Sequence, residues 1–153
     1  MNEDFLDMLR ALQAAGARYL IVGAHALAGH GIPRATGDLD IWVEATAANA
    51  ARVWQALTNF GAPIEGLGIE QRDFMEPGMV VQVGLPPRRI DLMTSITGIE
   101  FDAAWATHVT VTVAGIAIPV LGRESLLANK RALGRPQDLA DVDALSRQKP
   151  IAS

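Results

Sequence analysis

Apolar positions set the elements of this chain before any of its chemistry is considered. Phe5, Leu6, Leu9 and Leu12 recur at helical spacing after Asp4, which predicts an amphipathic helix over 4–15, capped by Asp4 and stopped at Gly16. The period then shortens. "RYLIVGA" predicts a buried strand over 18–22 closed by Gly23, and "HALAGHG" a short helix ended by Gly31 and Pro33. "DLDIWVE" predicts a second strand. "TAANAARVWQALTNFG" returns to helical spacing, with Thr46 as cap, Val53, Leu57 and Phe60 on one face and Gly61 at the end.

Residues 62–78 carry three glycines and two prolines and predict loop for most of their length. Beyond them "MVVQVG" and "RRIDLMT" alternate as strands joined across Pro86 and Pro87, and "EFDAAWA" predicts a helical turn. "HVTVTVAGIAIPVL" alternates around Gly115 and predicts a hairpin. Two helices close the pattern, "RESLLANKRAL" up to Gly134, with Leu126, Leu127 and Leu133 on a core face, and "PQDLADVDALSRQ" from Pro136. Trp42, Trp54 and Trp105 stand in apolar periodic stretches and are expected in the core. The element order predicts an α/β (α+β) fold, a small mixed β-sheet flanked by helices. It is expected to be one domain over 1–153, with a core of about 16–121 and C-terminal helices of about 122–148.

Charge and composition narrow the class. The chain has 153 residues, 13 Lys and Arg against 17 Asp and Glu, and a net charge of −4, so no broad polybasic surface is available for nucleic acid. Without cysteine, disulfides and thiolate metal sites are excluded. The N-terminal stretch has no signal pattern, and no apolar run reaches the roughly 18 residues of a membrane span, so a soluble cytoplasmic protein is expected.

One feature of the second strand does not fit a plain core element. Asp38 and Asp40 are two apart, so in an extended chain they project from one face while Leu39 and Ile41 face the other. Two carboxylates so close repel, and burying them unpaired is costly. Alone, the pair also reads as the solvated entrance of a strand. Asp91, between Ile90 and Leu92, repeats the oddity in another apolar strand. Three carboxylates from two neighbouring strands form an all-oxygen donor set of the kind that suits Mg²⁺ or Mn²⁺ in phosphoryl transfer. Fifteen residues before Asp38, strand 18–22 ends in Gly23-Ala24, small residues followed at once by a helix start, where backbone N–H groups can meet a phosphate.

With "YLIVGAHALAGHGIPRATGDLDIWV" and "RRIDLMT" assembled, the sequence resembles the minimal nucleotidyltransferases of the DNA polymerase β superfamily. "GIPRATGDLDIWV" and the tail "GRESLLANKRALGRPQDLADVDAL" resemble in particular the small AbiEii-type nucleotidyltransferases of toxin–antitoxin pairs. The resemblance covers most of 18–145. It implies a polymerase β palm-like fold and transfer of a nucleoside monophosphate from an NTP to an acceptor hydroxyl, releasing pyrophosphate, with Mg²⁺ or Mn²⁺. Asp38, Asp40 and Asp91 would be catalytic and bind metal; Gly23, Ala24, Arg34 and Lys130 would bind nucleotide. The acceptor would be an RNA 3′ end such as that of tRNA, a protein side chain or a small molecule. Many members carry Gly-Ser where this chain has Gly23-Ala24, so a hydroxyl to the terminal phosphates is missing. The alternative the resemblance carries is a weak or inactive binding module, such as one partner of a toxin–antitoxin pair.

Several polar residues keep two readings. Arg34 either meets phosphate or pairs with an acid and orders its loop. Thr36 is expected to bond the aspartate loop locally. Arg89 shares its face with Asp91 and either binds phosphate or neutralises the carboxylate in the absence of metal. Lys130 either reaches the nucleotide or is solvated, and Arg135 with Asp138 suits a cap and ion pair at a helix start. His25 and His30, five apart, do not have zinc spacing; His25 either contacts nucleotide or is a partly buried neutral imidazole.

Overall fold

Local chemistry sets the start of each element. In the computed structural model, which describes residues 1–34 and 37–148, helix α1 (Glu3–Ala14) begins one residue earlier than the apolar pattern predicts. Asn2, not Asp4, is the cap: its side chain accepts from the Phe5 N–H at 2.9 Å, which leaves Asp4 in the first turn, where negative charge suits the dipole. Thr36 lies outside the described residues.

Contacts divide the described residues into two compact units, 1–19 with 37–95, and 20–34 with 96–148. The first unit holds α1, strand β2 (Leu39–Val43), helix α3 (Ala47–Phe60), the short helix α4 (Ile64–Leu67), a 3₁₀ turn (Gln71–Met75), and strands β3 (Val80–Val83) and β4 (Ile90–Met93). Strand β4 runs parallel to β2 and antiparallel to β3. Thr46 caps α3 through its Oγ1, and Gly61 ends it in a left-handed conformation that a Cβ would disfavour. Helices α1 and α3 pack together, and Leu9, Leu12, Leu39, Ile41, Val53, Leu57, Phe74 and Leu92 are fully buried. The stretch 62–78 is more ordered than its glycines and prolines suggest: α4 and the 3₁₀ turn are each a single turn, too short for an apolar period to reveal.

The second unit holds most of β1 (Tyr19–Val22), helix α2 (Gly23–Gly29), α5 (Phe101–Ala106), β5 (Val109–Val113), β6 (Ile116–Val120), α6 (Arg123–Leu133) and α7 (Pro136–Arg147). Strand β1 is parallel to β6, with Ile21 opposite Val120, and β5 is antiparallel to β6. The β5–β6 hairpin turns on Ala114 and Gly115, both at positive φ, the two-residue turn whose twist matches its strands. Helices α6 and α7 pack on each other.

Parallel and antiparallel strand pairs with flanking helices give the mixed α/β class expected from the pattern. Three core assignments differ. Trp42 is buried, but Trp54 and Trp105 are half-buried, and Leu133, in the last turn of α6 beside Gly134, is 37% exposed. Among the described residues no helix is long and apolar enough to cross a membrane.

Candidate active site

Burial of alternate residues aims the acids of the first unit. Leu39 and Ile41 are fully buried, so the pleat turns Asp40 to the other face. Strands β2 and β4 then pair in a register that sets Leu39 against Ile90, Asp40 against Asp91 and Ile41 against Leu92. Asp40 and Asp91 are therefore lateral neighbours. Asp38 lies one residue before β2, where the Leu39 N–H donates to the Arg89 carbonyl at 3.0 Å. Gly37 makes a close approach there: a Cβ would lie 3.0 Å from the Pro87 Cα, so Pro87 would have to give by a few tenths of an ångström.

Arg89, two residues before Asp91, projects to the same side. Its Nη2 donates to Asp38 Oδ2 at 2.7 Å, its Nε to Asp91 Oδ1 at 2.9 Å, and its Nη2 again to Asp91 Oδ2 at 3.3 Å. Of the two readings open for Arg89, the structure has it neutralising the carboxylates. Arg88, next in the alternation, instead faces Asp4 at 3.7 Å.

The electrostatics follow from three acids and one guanidinium. Burial pushes the Asp40 carboxyl up to about 6, and the neighbouring charges of Asp91 and Asp38 and a hydrogen bond with Asp91 push the same way; Arg89 opposes them. The hydrogen bond to Asp91 holds Arg89 still more firmly in its charged form. Excess negative charge on hard oxygen donors is what a divalent cation neutralises, so the donor set fits Mg²⁺ or Mn²⁺ in type and charge. Among the described residues, no three such side chains are gathered around a common metal position, and the Arg89 fork engages Asp38 and Asp91.

The residues expected to bind nucleotide lie in the second unit. Gly23 opens α2 at φ +68, a conformation side chains rarely adopt, and Ala24 follows, half-buried. Arg34 pairs with Asp141, so of its two readings the structure has the acid pair. Lys130 is also engaged and not solvated: its Nζ lies 3.4 Å from Asp138 Oδ1 and 3.2 Å from Asp141 Oδ2, with 12% of the side chain exposed. Asp141, fully buried and one helical turn beyond Asp138, thus joins both cations. Sequence reasoning missed it, although two aspartates three apart on one helix do mark a shared face. His30 is buried, with Nε2 2.8 Å from the Leu121 carbonyl, a structural partner.

Arg135 and Asp138 form the expected cap and pair at the start of α7: Arg135 Nε donates to Asp138 Oδ2 at 2.5 Å and its backbone N–H at 3.2 Å. The Arg135 hydrogen bond, aided by Lys130, holds the Asp138 carboxyl down at about 2. A carboxyl depressed on folding contributes stability that is complete above its unfolded value and is lost as pH falls toward the folded one. The melting temperature is therefore expected to drop as pH falls from about 4 to about 2, and Asp138→Asn to flatten that part of the profile, read by calorimetry across the window.

No protein-family model matches the sequence, and no curated protein matches it. Solved structures do match. The lincosamide antibiotic adenylyltransferase LnuA, with lincomycin bound, aligns at a TM-score of 0.60 and 14% identity, over 96% of this chain and 97% of that one. A Thermotoga maritima protein provisionally assigned as a nucleotidyltransferase aligns at 0.55 and 16%, over 96% and 93%. The antibiotic-resistance factor ANT(2'')-Ia aligns at 0.55 and 14%, over 93% and 80%. At such identities the likeness concerns architecture, and it shows that this chain has the nucleotidyltransferase fold.

Proposed function

We propose that the protein is a Mg²⁺-dependent nucleotidyltransferase that moves a nucleoside monophosphate from an NTP to a hydroxyl of a small molecule, releasing pyrophosphate. The observation that carries this reading is the β2–β4 register, which sets Asp40 beside Asp91 and leaves Asp38 on the same fork of Arg89. Asp38, Asp40 and Asp91 would hold the metal. When bound, Mg²⁺ supplies charge to neutralise the phosphoryl oxygens during transfer. Asp91 takes the proton of the acceptor hydroxyl as its oxygen bonds to the α-phosphorus and the bond to the pyrophosphate oxygen breaks. Backbone N–H groups of Gly23 and Ala24 would meet the phosphates, and Arg34 and Lys130 would supply positive charge to them only on leaving Asp141, which engages both.

A small acceptor is favoured because the structural match spans 97% of LnuA, a lincosamide antibiotic adenylyltransferase. A second reading, a nucleotide-binding module with little turnover and a protein partner such as a cognate antitoxin, draws on two observations. Ala24 brings no hydroxyl, and Arg34 and Lys130 are both held by Asp141.

Nucleotide titration separates the two. Thermal stability is followed with each NTP, with and without Mg²⁺, while pyrophosphate release is assayed against a panel of hydroxyl-bearing antibiotics. A ligand that binds only the native state must raise apparent stability by mass action, by about 2.7 kcal/mol at a hundred times its Kd. The transferase is expected to show Mg²⁺-dependent stabilisation and pyrophosphate release with at least one acceptor. Stabilisation without turnover across the panel favours the binding module. No stabilisation at millimolar NTP rejects both.

A further inference from the structure

The three acids have a partner that the transfer reaction does not by itself require. One guanidinium, that of Arg89, reaches both Asp38, just before β2, and Asp91, in β4, and its fork takes both oxygens of Asp91. We infer that Arg89 is a tethered counter-ion that a divalent cation must displace from Asp38 and Asp91, so that this residue sets the affinity of the acids for metal. The inference rests on the reading that these acids hold the metal of a nucleotidyltransferase.

The argument is one of shared lone pairs and like charge. A guanidinium bound bidentately occupies the in-plane acceptor positions of a carboxylate. A hard cation needs the same oxygens and is repelled by the positive charge already there. Both cannot hold Asp91 and Asp38 in full. Placement makes displacement feasible: the Arg89 side chain is 29% exposed, so it can turn outward into water without crossing the core. The device is also specific to this position. Alternation sends Arg88 to Asp4, away from the acids, with its side chain 67% exposed. Once released, the Arg89 fork matches the geometry of a phosphate, so metal entry frees a phosphate ligand and metal and nucleotide bind with positive coupling.

The test uses the whole chain and Mn²⁺ as the probe. Calorimetric titration compares the wild-type protein with Arg89→Gln, Arg89→Lys and Asp91→Asn, without nucleotide. Arg89→Gln is expected to bind Mn²⁺ on the order of tenfold more tightly than the wild type, within the usual range of coupling between sites. Arg89→Lys, which keeps the charge but loses the fork, is expected to fall between them, and Asp91→Asn to bind weakly. A second readout needs no variant. Modification by an arginine-specific dicarbonyl reagent, mapped by mass spectrometry, is expected to rise several-fold at Arg89 when Mn²⁺ is added and to stay level at Arg88.

Metal binding that is no tighter in either Arg89 variant, with Arg89 equally reactive in both states, overturns the inference and leaves the metal reading standing. Absence of Mn²⁺ binding at millimolar concentration in the wild type and in both Arg89 variants overturns the metal reading and the inference together. Should Arg89→Gln fail to fold, the lysine variant and the modification readout decide the question.

Discussion

Asp40→Asn is expected to abolish nucleotidyl transfer while leaving the metal-free protein as stable as the wild type or more so. The two effects come from one carboxylate. Asp40 lies beside Asp91 in the β2–β4 register, and among the three acids it is the one the Arg89 fork does not grip by a hydrogen bond. Its carboxyl is pushed up to about 6 by burial and by its two acidic neighbours. An acid whose value rises on folding stabilises the fold while protonated, and that contribution is lost as pH climbs from the unfolded value through the folded one. At neutral pH the ionised Asp40 is thus a net cost, on the order of 1 kcal/mol once solvent screening is allowed for. Replacement by Asn removes it. For transfer, if Asp40 is one of the three metal ligands proposed, its loss forfeits several kcal/mol of transition-state stabilisation, a factor on the order of a thousand or more in rate. Melting temperature without metal and pyrophosphate release with metal check the two halves on one protein sample. A variant that transfers at the wild-type rate would remove Asp40 from the catalytic set. One that melts well below the wild type would show that Asp40 is held by favourable contacts. Alternation of acids alone would place the relief of repulsion at Asp38. The Arg89 bond moves it to Asp40, because Asp38→Asn also removes an acceptor from Arg89.

What was legible in the chain was whatever depends on near neighbours. The i, i+2 rule was enough to aim Asp38 and Asp40 away from Leu39 and Ile41, and it placed Arg89 on the face of Asp91. Thr46, Gly61, the turn at Gly115 and the Arg135–Asp138 pair are likewise short-range chemistry. The register of Asp40 with Asp91 was not legible, because parallel pairing joins residues 51 positions apart and no local signal fixes it. For the same reason the partner that engages Arg34 and Lys130, Asp141, was missed: a charge on an exposed-looking helix reveals its burial only when another helix covers it. Errors of face came from helix ends. Leu133 continues the apolar spacing of Leu126, yet it falls in the last turn of α6, where less of the second helix is left to cover it. Asn2 was displaced in the reading by an acidic residue two positions later, since either is a good cap and only geometry chooses.

Asn49 is the residue whose importance the sequence hid most fully, and its removal is expected to have the largest effect on stability. In the chain it is an indifferent helix former in the first turn of α3. In the structure it is fully buried and bonds backbone on two sides: Oδ1 accepts from the Arg18 N–H at 2.7 Å, and Nδ2 donates to the Arg18 carbonyl at 3.0 Å and the Glu44 carbonyl at 2.9 Å. It thereby ties the chain entering β1 to the chain leaving β2. Asn49→Ala removes this partner from the Arg18 N–H and the Glu44 carbonyl, both part-buried, and each bond so lost costs about 1–3 kcal/mol. The Arg18 carbonyl is less affected, since it also accepts from the Glu44 N–H at 3.2 Å. The expected loss is roughly 3 kcal/mol, a fall in melting temperature of roughly 10 °C for a domain of this size. Asn49→Asp keeps the shape and the acceptor but loses both donations and buries a charge close to Glu44, so it is expected to cost at least as much as the alanine variant. If packing alone mattered, the isosteric aspartate would be nearly silent. Urea denaturation measures both: the midpoint falls with the slope unchanged when only stability is altered. Asn49 stands at the far end of β2 from Asp38, so the folded fraction of Asn49→Ala is expected to bind Mn²⁺ with wild-type affinity. Asp40→Asn has the opposite signature, metal binding lost and fold retained. That opposition separates the residues that hold the strand in register from those the register serves.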